Sequence, residues 1–129
     1  MNCKMKSSEI DMHFNFNKEY LKYINTTVNF KFNNDELNEF IQYTLYEQTA
    51  NKYVHLQLSS NKLTIFPKEI YYFSSLQDLI LENNNLTEIP REIGNLSSLK
   101  TLDLENNNLT EIPKEIGNLS SLEYLNLKN

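Results

Sequence analysis

Apolar positions in this chain follow a fixed spacing from residue 53 onward, and the spacing returns every 23 residues. Residues 76–98 read LQDLILENNNLTEIPREIGNLSS and residues 99–121 read LKTLDLENNNLTEIPKEIGNLSS, identical at nineteen of 23 positions. A more diverged copy, YVHLQLSSNKLTIFPKEIYYFSS, fills 53–75, and a partial one, LEYLNLKN, runs over 122–129. Self-similarity at such a period indicates stacked structural repeats. Each copy opens with strand spacing. Leu56 and Leu58, Leu79 and Leu81, and Leu102 and Leu104 are two apart and share one face. The second half changes rhythm: Ile89, Ile93, Leu96 and Leu99 are separated by four, three and three, which predicts a helical or 3₁₀ turn starting near Pro90. One strand and one return segment per repeat make a coil, and stacked coils make a solenoid.

The run L-x-x-L-x-L-x-x-N-x-L in copies two and three resembles the leucine-rich repeat family. The continuation L-T-x-I-P-x-E-I-G-N-L is similar to its 23-residue intracellular, Ras-suppressor-like subclass, which also occurs in bacterial and viral proteins. The resemblance covers 53–129 and implies an α/β fold: a short right-handed solenoid with a parallel sheet on its concave side. It also implies that Asn61, Asn84 and Asn107 point inward and bond backbone where the strand turns. A buried amide left unpaired costs about 1–3 kcal/mol, so a ladder of mutually satisfied amides is expected. Copy one departs at Tyr71-Tyr72-Phe73, where the later copies have Gly-Asn-Leu, which leaves the backbone of its return segment open.

Residues 1–52 lack the repeat. Ile10, Met12, Phe14 and Phe16 alternate, as do Val28, Phe30 and Phe32, and both runs suit half-buried strands. Leu37, Phe40, Ile41, Thr44 and Leu45 form one apolar face of a helix over about 35–48. Asn33 with Glu36 suits a capping box, and Asp35 suits the first turn. A solenoid needs its first coil covered, so residues 33–50 are expected to be an N-terminal cap within a cap region of 1–52. Residues 1–32 leave two readings open, a small hairpin extending the cap or a separate recognition element.

Composition narrows the function. With 40% hydrophobic and 22% charged residues the chain can bury a core, and its net charge of −5 disfavours nucleic acid and anionic membrane as partners. No run approaches the ~18 apolar residues of a membrane span, and the N-terminus carries no apolar signal region. Cys3 is the single cysteine. These features lead to the expectation of a cytoplasmic protein, in which the Asn-X-Ser/Thr triplets at Asn25, Asn85, Asn95, Asn108 and Asn118 are products of an asparagine-rich repeat. His13 and His55 belong to no cluster with metal-ligand spacing, and no catalytic or phosphate-binding motif occurs. No cofactor, metal or catalytic residue is therefore expected. Gly94 and Gly117 share one repeat position and suggest a turn requirement.

The candidate site is the outward face of the strands. It comprises His55, Gln57 and Ser59 in copy one, Asp78, Ile80 and Glu82 in copy two, Thr101, Asp103 and Glu105 in copy three, and Tyr124, Asn126 and Lys128 in the last. Of the four positions at which copies two and three differ, 77/100, 78/101 and 80/103 lie on this strand segment, while Arg91/Lys114 is conservative. Asp78, Glu82, Asp103 and Glu105, edged by Lys128, should form an acidic patch. The expected function is a non-catalytic protein–protein interaction module whose concave face takes a partner with a basic segment. Two alternatives stand beside it. One is a truncated repeat protein self-associating at its C-terminal edge, where Leu122, Leu125 and Leu127 would lack cover. The other is a regulatory signalling or host-interaction subunit, a role the resemblance implies.

Overall fold

The structure, a computed structural model, describes residues 27, 28 and 33–129. Cys3, His13, Asn25, the run 10–16, Phe30 and Phe32 lie outside the described residues, and with them most of the expected hairpin.

Helix α1 (Asn34–Tyr46) starts as its sequence dictates. Asn33 Oδ1 accepts the Glu36 N–H at 2.9 Å and the Glu36 carboxylate accepts the Asn33 N–H at 3.0 Å, a complete capping box. Leu37, Phe40, Ile41 and Thr44 are buried, Leu45 packs partly against the core, and Tyr43 joins the buried face. The helix stops before residue 48 because Gln48 takes a left-handed φ of 59°. Gln48 N–H then donates to Leu45 O at 3.2 Å and Thr49 N–H to Thr44 O at 2.8 Å. This is a Schellman closure with glutamine in the position that glycine usually takes.

The strands form one parallel sheet in chain order: β1 (Thr27–Val28), β2 (His55–Gln57), β3 (Asp78–Ile80), β4 (Thr101–Asp103) and β5 (Tyr124–Asn126). From β2 onward the pairing keeps the repeat register, with His55 opposite Asp78, Asp78 opposite Thr101 and Thr101 opposite Tyr124. β1 extends the sheet in the same sense, Thr27 opposite His55 and Val28 opposite Leu56. The cap therefore supplies a strand and then a helix, in the order in which each repeat supplies a strand and then a 3₁₀ turn. Alternation at 28–32 indicated a strand but not its neighbour, since a period of two carries no pairing information.

Three five-residue 3₁₀ turns, Lys68–Tyr72, Arg91–Asn95 and Lys114–Asn118, return the chain. Each follows a proline whose φ lies between −65° and −67°, so entry to the turn is preset. Copy one keeps the same turn despite Tyr71 and Tyr72, whose rings stack at 4.3 Å. Neither glycine has a positive φ, so a turn requirement does not select them. At Gly94 the reason is close approach: a Cβ there would lie 2.7 Å from Glu115 O in the next coil. At Gly117 the same Cβ would meet nothing within 4 Å.

Leucines of successive coils stack into a continuous core, with Leu56, Leu79 and Leu102, and Leu58, Leu81 and Leu104, all at most 1% exposed. At the cap the core becomes aromatic. Phe40 meets Tyr53 edge-on with ring centres 5.4 Å apart, and Phe73 lies 6.4 Å from Phe40 and 5.8 Å from Tyr53. Tyr53 and Phe73 stand where later copies carry leucine, and their larger rings fill the contact with a helix rather than with an equal coil. At the other end Leu125 and Leu127 are 39% and 37% exposed, and Leu122 is only partly buried. Among the described residues no helix is long and apolar enough to cross a membrane.

Candidate interaction face

The face is held in place by asparagines one turn beyond each strand. Asn84 Oδ1 accepts the backbone N–H groups of Asn61 and Leu63 at 3.0 Å each, and its Nδ2 donates to Leu58 O at 3.0 Å and Leu81 O at 2.9 Å. Asn107 repeats the pattern one coil on, accepting from Leu86 N–H at 3.0 Å and donating to Leu81 O at 2.9 Å and Leu104 O at 3.0 Å. Asn61, Asn84 and Asn107 are all buried, as expected. The expectation of amides satisfying one another is corrected: Asn84 and Asn107 bond the backbone of their own coil and the preceding one, because the turning strand leaves its peptide groups unpaired beside them. An amide–amide bond does form one residue earlier, where Asn106 Nδ2 donates to Asn83 Oδ1 at 2.8 Å on the exposed side. Asn83 and Asn106, with φ of 57° and 55°, also make the left-handed step that turns the strand inward, a conformation asparagine tolerates.

Strand alternation then presents the candidate residues. His55, Gln57, Asp78, Ile80, Thr101 and Asp103 are half-buried between fully buried leucines, and Tyr124 is exposed. The register stacks them in rows: His55, Asp78, Thr101 and Tyr124 in one, Gln57, Ile80, Asp103 and Asn126 in the next. A third row holds Ser59, Glu82, Glu105 and Lys128, by the same repeat spacing.

Side-chain oxygens in the middle row fasten the strand ends. Gln57 Oε1 accepts Ser59 N–H at 2.9 Å, Asp103 Oδ1 accepts Glu105 N–H at 3.0 Å, and Asn126 Oδ1 accepts Lys128 N–H at 3.1 Å. Ile80 breaks this series and offers the row its one aliphatic surface. Within the third row Ser59 Oγ donates to Glu82 Oε1 at 3.4 Å, and across rows Asn126 Nδ2 donates to Glu105 Oε2 at 2.7 Å.

The expected four-carboxylate patch divides in two. Asp78 Oδ2 meets His55 Nδ1, a contact that becomes an ion pair when the imidazole is protonated. Glu82, Asp103 and Glu105 remain together, with one carboxylate oxygen of each within 4.8 Å of the others. All three are half-buried, and among the described residues none of them forms a salt bridge, Lys128 included. Oxygen donors at this separation are of the kind a hard divalent cation accepts, although Asp103 and Glu105 already accept hydrogen bonds from the strand ends. Motif spacing could not reveal this trio. Its members come from two coils and converge only through the 23-residue register, the one signal that carried them.

The model of the leucine-rich repeat region family matches residues 51–129. A search of curated proteins returned no match. Among solved structures the chain is similar to a leucine-rich repeat protein of Leptospira interrogans, with 40% identity and a TM-score of 0.66, covering 75% of this chain and 23% of that one. It is also similar to the plant peptide hormone receptor RGFR1 in complex with RGF2, with 44% identity and a TM-score of 0.54, covering 60% of this chain and 13% of that one. A third likeness is to the BIR3–SERK2 complex from Arabidopsis thaliana, with 26% identity and a TM-score of 0.54, covering 63% of this chain and 47% of that one. The chain spans less than half the length of each of these structures.

Proposed function

The chain belongs to the leucine-rich repeat family, and from that premise we propose that it works as a non-catalytic interaction module, taking a protein partner on the outward face of its parallel sheet. The observation that carries this reading is the contrast between framework and face. Nineteen of 23 positions are the same in copies two and three, and three of the four that differ lie on or beside the presented strands. Two similar structures are themselves protein complexes, the receptor with RGF2 and the BIR3–SERK2 pair, which supports a binding role.

The partner we propose carries a basic segment. Glu82, Asp103 and Glu105 would meet it, Ile80 would give apolar contact, and His55, Gln57, Asp78, Thr101, Tyr124 and Asn126 would frame it. Opposed charge would steer the encounter and set its register more than its strength. The acidic trio repels itself in the free protein, and a cationic side chain would relieve that repulsion. The repeat segment L-T-x-I-P-x-E-I-G-N-L supports the Ras-suppressor-like subclass, and the lone Cys3 suits a cytoplasmic setting. We keep 1–52 as a cap region and 53–129 as the repeats.

The test is capture from the native cell with the full chain as bait, wild type against the Glu82→Lys/Glu105→Lys double variant. A partner recovered by the wild type should be lost with the variant, while the melting temperature stays level or rises. Equal recovery by both baits would remove the acidic face from the reading. A second reading is favoured by one observation, the exposure of Leu125 and Leu127 on β5. In it the chain works through self-association at that edge, and light scattering that reports a monomer throughout the micromolar range would end it.

A further inference from the structure

The first repeat breaks the pattern of the others at a point that is not on the sheet. Residue 65 stands where the later copies carry Glu88 and Glu111, yet it is isoleucine, and its side chain is 65% exposed. Single exposed apolar residues are common on protein surfaces. This one differs in its setting. It lies in a groove of about 510 Å³ between the start of α1 and the entries to the first two 3₁₀ turns, with Phe66, Pro67 and Pro90 also lining it.

The groove is held rather than loose. Asn34, the first residue of α1, clamps the backbone that presents Ile65. Its Oδ1 accepts Thr64 N–H at 3.0 Å and Ile65 N–H at 3.4 Å, and its Nδ2 donates to Thr64 Oγ1 at 2.6 Å. The groove is also strongly charged. Asp35, Glu69, Glu88 and Glu92 line it against the single cation Lys68. Among the described residues none of these four carboxylates forms a salt bridge.

We propose that this groove is a second docking site, separate from the sheet face, for a short segment of a partner protein that carries an aliphatic side chain next to lysine or arginine. The aliphatic group packs on Ile65 and the two prolines, and the cation meets the carboxylate rim. Charge complementarity selects the occupant: an acidic or uncharged apolar segment would leave four carboxylates facing it without compensation. The Asn34 clamp orders the site before binding and so reduces the entropy lost on docking.

The probe is a blocked five-residue peptide alternating leucine and lysine, titrated into the isotopically labelled full chain and followed by amide chemical shifts. A peptide with glutamate in place of lysine is the control. The expected result is saturable shifts at 34–38, 65–69 and 88–92 that the glutamate peptide does not produce. Ile65→Glu, which installs the residue the later repeats carry and so preserves the fold, should weaken binding about tenfold or more. Glu88→Lys, a variant at a different exposed position, should weaken it too. The sheet variant Glu82→Lys/Glu105→Lys should change the affinity by less than about twofold, since the two surfaces share no residue.

Four outcomes overturn the proposal. The first is shifts confined to 55–59, 78–82 and 101–105, which would leave only the sheet face. The second is equal response to both peptides, or no saturation by about 1 mM. The third is movement of amides in 1–26 on Ile65→Glu without peptide, which would make the chain's own N-terminal residues the occupant. The fourth is a lower sedimentation coefficient for Ile65→Glu than for wild type, which would make the occupant a second copy.

Discussion

Asn84 joins two coils through its buried amide, whereas Asn85 beside it exposes its side chain and uses only its backbone N–H, donated to Leu63 O at 2.7 Å. Asn83, one residue earlier, supplies a left-handed φ and an exposed amide bond to Asn106. The same residue type in three adjacent positions should therefore respond to alanine in three ways. Asn84→Ala strands buried backbone groups of two coils and should cost about 3 kcal/mol or more. Asn83→Ala should cost about 1 kcal/mol, mainly for the left-handed backbone. Asn85→Ala should stay within about 0.5 kcal/mol. Urea denaturation of the three variants checks the order, and equal effects would contradict it. Tyr53 gives a second residue-scale test. Burial pushes its phenol up to about 12, with the nearby Tyr43 adding to the rise and a hydrogen bond with Thr49 opposing it. The phenol's ordinary value is 10.0, so the folded state holds its proton more tightly than the unfolded state does. That stabilisation is complete below pH 10 and is lost as pH rises from 10 through about 12. Tyr53→Phe should leave stability at neutral pH within about 0.5 kcal/mol. It should also flatten the fall in melting temperature between pH 10 and 12, measured by circular dichroism.

At the scale of elements, two glycines at one repeat position part company. Gly94 faces Glu115 O at 2.7 Å from a hypothetical Cβ, while Gly117 faces open space. Gly94→Ala should push the second and third 3₁₀ turns apart and cost about 1–3 kcal/mol. Gly117→Ala meets no atom and should be neutral or stabilising by up to about 1 kcal/mol. Thermal melts of the two variants separate close approach from a shared turn requirement, under which both would lose stability alike. Gln48 is the converse case, a side chain in a left-handed position at the end of α1. Gln48→Gly should add about 1 kcal/mol, read as a higher urea midpoint at unchanged slope. These elements also mark what could be read from sequence. The α1 face, its capping box and the entry prolines were legible because each depends on residues a few positions apart. The reason for Gly94, the place of β1 in the sheet and the aromatic contact of Phe40 with Tyr53 and Phe73 were not, since each depends on which segment lies alongside. The site divides in the same way. Alternation named the outward residues, and only the stacked register showed that Asp78 turns to His55 while Glu82, Asp103 and Glu105 stay together.

For the molecule as a whole, stability follows from the one-dimensional order of the coils. Each coil contacts only its neighbours, so its free energy is its own plus one term per interface. The coil carrying β3 has a covered core on both sides, and Leu79, Ile93 and Leu96 are at most 1% exposed. The stretch from Ile112 to Leu127 has cover on one side. Ile112, Leu125 and Leu127 are 37%, 39% and 37% exposed, and Ile116 is only partly buried. Opening β5 breaks one strand pairing and uncovers little that is not already wet, whereas opening β3 breaks pairings on both sides and uncovers the leucine stack. Local opening should therefore begin at β5 and move inward. In native-state hydrogen exchange, amides of 122–128 should exchange first, with Leu104, whose N–H donates to Asn126 O on β5, released alongside them, and those of 78–81 last, near the rate of global unfolding. Truncation should follow the same gradient. Leu102→Ala should cost about 2–5 kcal/mol, and Leu125→Ala, at the equivalent position one coil on, about 1 kcal/mol or less. Uniform protection from β2 through β5, with equal costs for the two leucines, would show that some contact covers the β5 edge in solution. That result would point to self-association at the edge and would count against a chain that meets its partner as a monomer on the sheet face.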